Sequence, residues 1–370
     1  SGNTIFGYDA GSQIVQNNGA GHSNTFLGHY AGHGNASGDH NTFIGHIAGG
    51  TAGSGDDNVA MGSYSGYNFA TGDANILVGQ SSGFNMRSGS TNVAIGDNAL
   101  YTSRGSSQNT IIGSFAGYSV TTGTGGVGIG YKAGYANKGQ GQWIAIGYEA
   151  MGGTPGTNEA AGEAIGYRSM FAAMDGASGT ALGNSTLENL VGDYTVGIGG
   201  EAGRYASGSF NTFMGYSAGR GGTTSAPFSS GTYNTAMGYQ ALYSHTDGAN
   251  KNTTVGRRAG YGITTGDNNV LLGNDAGFGI TTGGNNIVIG HQAFDAAAGA
   301  ADGMVVIGTE AMSAYTGGDL DSSVAIGEYA LNAGTSFVKN CAVGGFALRY
   351  TTGNYNTAIG YDAAYNMTSG

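Results

Sequence analysis

The sequence predicts an all-β repeat solenoid: a parallel β-roll of about 21 coils with a period of ~17 residues. Three observations predict it. A unit of the form N-[T/V]-x-[I/L/V/M]-G-x-x-A-[G/L] recurs along the whole chain, as in Asn92-Val93-Ala94-Ile95-Gly96-Asp97-Asn98-Ala99-Leu100. Its anchor glycines, 21 from Gly7 to Gly360, recur at intervals of 16–23 residues, and the seven successive intervals from Gly28 to Gly147 are each 17 residues. Glycine makes up 76 of 370 residues and proline only 2, which suits tight coils and excludes a collagen.

Each column of the unit has a physical reading. The residue before the anchor is apolar in all 21 copies, and the residue three before it is Thr, Val or Ile in 19, the exceptions being Glu163 and Cys341. These two positions are two apart, so on a strand they share a face. The residue between them is also apolar or small, as at Phe26, Phe43, Leu77, Ala94, Phe213 and Leu271. A strand apolar on both sides is buried on both sides. The expectation is that the middle column cannot fit in the roll and faces identical chains, which makes a homo-oligomer. Four before the anchor stands Asn in 14 copies, suited to an amide ladder between coils. Three after it stands Ala, Ser or Thr, which implies a narrow interior. The anchor itself reads as a positive-φ or close-approach glycine. Segments such as Thr121-Thr122-Gly123 read as turns, so a coil is expected to hold two short strands and two turns.

The array has no composition break, so residues 1–370 read as one continuous domain. Insertions that lengthen the period fall near 11–23, 153–162, 219–233 and 316–323. At about 4.8 Å per coil, 21 coils would make a rod roughly 100 Å long. The last anchor lies ten residues before Gly370 and the first at residue 7, so tail joined to head completes one 17-residue repeat. Copies are therefore expected to stack head to tail, or the chain to be cut from a longer array.

Composition removes several functions. With 12 Lys and Arg against 23 Asp and Glu, the net charge is −11, and nucleic acid is not an expected partner. No apolar run reaches the length of a membrane span, so no membrane insertion is expected. A single cysteine, Cys341, excludes an intrachain disulfide framework.

The repeat resembles the head repeat of trimeric autotransporter adhesins. It also resembles the Gly-rich repeats of phage tail fibres, as in Asn234-Thr235-Ala236-Met237-Gly238-Tyr239-Gln240-Ala241-Leu242. The resemblance covers nearly the whole chain. It implies a homotrimer of left-handed parallel β-rolls with an apolar strand face toward the three-fold axis. It further implies an extracellular appendage that reaches a host receptor, glycan or protein.

Chemistry-bearing motifs are few. Gly79-Gln80-Ser81-Ser82-Gly83 matches the G-x-S-x-G elbow, but Ser82 sits in the ordinary small-residue column. Gly123-Thr124-Gly125-Gly126-Val127-Gly128 matches G-x-G-x-x-G without a βαβ unit around it. No catalytic residue and no cofactor is expected. Asp39, Asp73, Asp193, Asp267, Asp302 and Asp321 recur six before an anchor and read as turn formers. His29 and His46 share a column on adjacent coils and are weak metal candidates, the plainer reading being a ring ladder continuing Tyr8. Tyr67, Phe84, Tyr101, Tyr118 and Tyr135, five after the anchor on consecutive coils, form the best candidate contact surface, a glycan-facing aromatic ladder. Pro227 and Phe228, in the longest insertion, are candidate recognition residues.

The expected function is therefore a structural and adhesive fibre segment, not an enzyme. The alternative is a purely structural filament or shaft with no ligand site of its own.

Overall fold

The computed structural model describes residues 2–15, 21–138, 141–153, 161–173, 178–222, 229–296, 299–314, 320–333 and 338–367. The chain is a parallel β-solenoid of about 19–21 coils with a ~17-residue period, and no helix occurs among the described residues. It divides into two compact units, Ser1–Ala181 and Leu182–Gly370. Each is taken by itself below.

In both units a coil contributes one strand, usually three residues long, immediately before its anchor glycine. Successive strands pair in parallel without slippage. In the first unit Val93, Ala94 and Ile95 face Thr110, Ile111 and Ile112. In the second, Val270, Leu271 and Leu272 face Ile287, Val288 and Ile289. Among the described residues the expected second strand of each coil is mostly absent. It is reduced to bridges such as Thr71–Ser88 and Ser107–Thr124, and to the short pair Ala301–Asp302 with Leu320–Asp321. The reason lies in the backbone. Non-glycine residues with positive φ recur in each coil, for example Thr91 (59°), Asn98 (54°) and Leu100 (53°). These bends curl the chain too tightly for a second extended run. The curled segments still hydrogen-bond to both neighbouring coils. The Asn98 N–H donates back to the Gln80 carbonyl (2.9 Å) and the Leu100 N–H forward to the Ala116 carbonyl (3.0 Å).

Two lanes hold the coils in register. The anchor glycines stack directly on one another. Gly96 has a φ of 138°, and a Cβ there would collide with the carbonyl of Gly113. Both the dihedral and the approach therefore demand glycine. Beside this lane runs the amide ladder, from Asn3 to Asn109 in the first unit and from Asn211 to Asn286 in the second. Asn92 is representative and fully buried. Its Nδ2 donates to Asn75 Oδ1 (2.9 Å) and to the Ser106 carbonyl (2.8 Å). Its Oδ1 accepts the Asn109 backbone N–H (3.1 Å) and Asn109 Nδ2 (3.0 Å).

The interior corrects the expectation for the middle strand column. Phe26, Phe43, Leu77, Phe213 and Leu271 lie inside the roll at 0–1% exposure and do not face another chain. Space for them comes from the residue six positions on, across the narrow interior. Opposite Phe43 stands Gly49, and opposite Phe213 stands Gly219; a Cβ on either glycine would strike the ring. In several coils the strand residue is Ala and the partner is large. Ala94 goes with Leu100, Ala145 with Met151, Ala236 with Leu242 and Ala342 with Leu348, all buried. In these coils one large side chain, from one wall or the other, fills the core, whereas Val288 with Phe294 and Val306 with Met312 supply two, and the small pair Ala60 and Gly66 lies against Leu77 of the next coil. Two coils have glycine at both positions: over Gly128 and Gly134 the Trp143 indole of the next coil occupies the space, also over Gly126, and over Gly197 and Gly203 lie Leu187 and Phe213 of the neighbouring coils. Trp143 thus replaces an asparagine of the ladder by packing.

The uncovered apolar surface is the opposite face of the strand. Leu27, Met61, Ile76, Ile95, Ile112 and Ile129 in the first unit are 36–45% exposed. Met214, Met237, Val270, Leu272 and Ile287 in the second are 37–45% exposed.

Candidate functional site

The aromatic column five after the anchor is a continuous ring stack. Centroids in the series Tyr67–Phe84–Tyr101–Tyr118–Tyr135 are 5.0, 5.0, 5.0 and 5.2 Å apart, with planes inclined by 23°, 7°, 3° and 18°. In the second unit Tyr243, Tyr261 and Phe278 repeat this at 4.9 and 5.1 Å. The strand spacing sets the separation, because equal residues on successive coils adopt equal rotamers. All these rings are half-buried. Burial, then the neighbouring phenols of Tyr101 and Tyr135, raises the Tyr118 pKa above its usual value. Their faces are turned to one another along the axis. What the ladder offers outward is ring edges and phenolic hydroxyls.

A second, more exposed ladder follows the anchor directly. Tyr131, Tyr148 and Tyr167 stack at 5.1 and 5.5 Å, and Tyr216 and Tyr239 at 5.7 Å. Lys132 Nζ lies 5.3 Å from the Tyr131 ring centre and 5.5 Å from that of Tyr135, linking the two columns. His29 and His46 belong to this same column. Their rings are parallel within 1° at 5.2 Å, and His29 stacks on Tyr8 at 5.4 Å. The geometry is that of the ring ladder. No group of three or more His, Cys, Asp or Glu placed to hold a metal ion occurs among the described residues.

The remaining motifs are absorbed by the scaffold. Ser82 Oγ donates to the Ala94 carbonyl (2.8 Å), as Ser65 Oγ does to that of Leu77 (2.9 Å). The Gly123–Gly128 stretch leads into the strand Val127–Ile129, with Gly126 beneath the Trp143 ring. Asp39 Oδ1 accepts the His22 N–H (2.7 Å) and Asp56 Oδ1 the Asp39 N–H (2.7 Å), which is turn capping between coils. Pro227 and Phe228 lie outside the described residues.

Other features carry little signal in the sequence. A third ring ladder, Tyr194–Phe210–Tyr233, stands five before the anchor with spacings of 5.4 and 5.0 Å; its column was the only clue. Arg204 pairs with Glu188 (2.7 Å) and Glu201 (3.0 Å), and Arg220 with Glu201 (3.3 Å). His245 is wholly buried beside Phe213, and burial depresses its pKa to about 4.

No family model matches the chain, and no curated protein is similar to it in sequence. No helix among the described residues is long and apolar enough to cross a membrane.

Proposed function

We propose that this chain is a segment of an extracellular structural and adhesive fibre, built as a homotrimer and used for attachment to a host or surface receptor. The observation that carries this reading is the outer strand face. Its apolar ranks repeat on coil after coil, whereas a monomeric surface rarely leaves contiguous apolar patches beyond a few hundred Å². The same face of identical chains is a self-matching cover for a surface that repeats every coil. Side-by-side packing leaves the ring ladders free to meet a glycan or protein receptor through edges and hydroxyls. Weak contacts repeated along such a ladder become strong attachment by multivalency.

Light scattering tests the assembly. The wild type should have a trimer's mass. Ile95→Asp with Ile112→Asp should lower it while circular dichroism stays unchanged, because charge would then enter the contact. A folded wild-type monomer overturns the reading. A glycan array tests the attachment, with Tyr101→Ser, Tyr118→Ser and Tyr135→Ser expected to weaken any signal.

The second reading is a shaft or filament without a ligand site, copies adding head to tail. The ring geometry favours it, since ladder faces already satisfied by each other serve the solenoid's own stability. Electron microscopy of the purified chain separates the two: filaments that capture no glycan support the second.

A further inference from the structure

The exposed tyrosine ladder is placed for a chemistry beyond binding. Tyr131, Tyr148 and Tyr167 in the first unit, and Tyr216 and Tyr239 in the second, are 38–51% exposed. Each has a second phenol directly above or below it, with centroids 5.1–5.7 Å apart and planes within 27°. The paired tyrosines sit on adjacent coils whose backbones are hydrogen-bonded. The Glu149 N–H donates to the Tyr131 carbonyl (2.9 Å), Arg168 to Tyr148 (2.9 Å) and Gln240 to Tyr216 (2.9 Å). Two phenols are thus held next to each other at high effective concentration and open to a soluble oxidant.

We propose that these pairs are sites of oxidative tyrosine cross-linking, with a peroxide-consuming one-electron oxidant of the haem peroxidase class as the agent. Each phenol gives up one electron and its hydroxyl proton and becomes a phenoxyl radical. The two radicals join through a new carbon–carbon bond between ring carbons ortho to oxygen. Each ortho hydrogen then moves to its oxygen, restoring both phenols. In net terms the pair has lost two protons and two electrons, which is one ring hydrogen atom from each phenol. One hydrogen peroxide takes them up and leaves as two waters. The product is a covalent staple between neighbouring coils.

The third ladder supplies an internal control. Tyr194 and Tyr233 are more exposed than the five tyrosines above, at 69% and 56%, yet Phe210 stands between them. Phenylalanine forms no phenoxyl radical, so exposure without a neighbouring phenol should give no intrachain link there.

The experiment treats the purified chain with peroxidase and hydrogen peroxide at low protein concentration. It reads dityrosine fluorescence and maps the links by peptide mass spectrometry, each as a loss of two hydrogens. Links are expected within one chain at Tyr131–Tyr148, Tyr148–Tyr167 and Tyr216–Tyr239. Tyr148→Phe should remove the first two and leave the third. Phe210→Tyr should create a link to Tyr194 or Tyr233 that the wild type lacks, and this gain cannot come from misfolding. Three outcomes overturn the proposal: no link under conditions that couple free tyrosine, links only between copies at isolated exposed tyrosines such as Tyr355, or no gain in Phe210→Tyr.

Discussion

At the scale of single residues, the buried polar groups of the lanes have partners built into neighbouring coils. Asn92 uses both ends of its amide, and Ser82 donates to a carbonyl. His245 is an exception. Nδ1 lies 3.2 Å from the Leu242 carbonyl, while Nε2 is buried without a partner. Ile263 and Ile280 hold the equivalent place on the next two coils. Burial favours the neutral ring, moving its pKa from 6.5 to about 4, with the Leu242 backbone hydrogen bond and the Asp247 carboxylate opposing the shift. Between those values the unfolded chain binds the proton and the folded chain does not. Stability contributed by this group is therefore present above pH 6.5 and is lost as pH falls toward 4. The loss should total about 3 kcal/mol. Urea denaturation at pH 7 and pH 4 checks this, with His245→Ile as reference. The wild type should lose more stability than the variant across that interval, and equal losses would refute the assignment.

At the scale of the coil, the unit of packing is the pair of residues six apart across the interior. Ala94 and Leu100 together fill the same kind of space as Phe43 and Gly49. Ala94→Leu alone should overpack, costing about 1–3 kcal/mol. Leu100→Gly alone should leave a cavity, costing about 2–5 kcal/mol, softened by the positive φ at that position. The double variant should lose less than the sum of the two, and this coupling is measurable by a double-mutant cycle in denaturant. Additive losses would mean that the two positions do not share one space.

At the scale of the whole molecule, stability in a solenoid is a sum of coil and neighbour terms, so damage stays near its source. Asn92→Ala strands the Asn109 N–H and the Ser106 carbonyl, both held by Asn92 in the native ladder. The local loss should be about 2–5 kcal/mol. Hydrogen exchange should accelerate across residues 75–109 and remain unchanged through residues 211–286 of the second unit. Uniform acceleration in both would show global rather than local cooperativity.

The lanes were legible in the sequence because a fixed period places each residue upon its own equivalent. The anchor glycines, the amide ladder and the stacked rings of Tyr101 and Tyr118 need nothing beyond that repetition. The Asp39 turn cap and the scaffold role of Ser82 followed from the same registers. The sequence alone could not say which side of the strand faces inward, since a strand apolar on both faces keeps its pattern when flipped. Only the tertiary structure decided it. The positive-φ bends after each anchor bring the residue six positions on back over the middle strand residue. That closure puts Phe26 and Leu77 inside and leaves Leu27 and Ile95 outside. The trade of Phe43 with Gly49 against Ala94 with Leu100 stayed hidden for the same reason. In these coils the two residues share a space that exists only once the coil has closed.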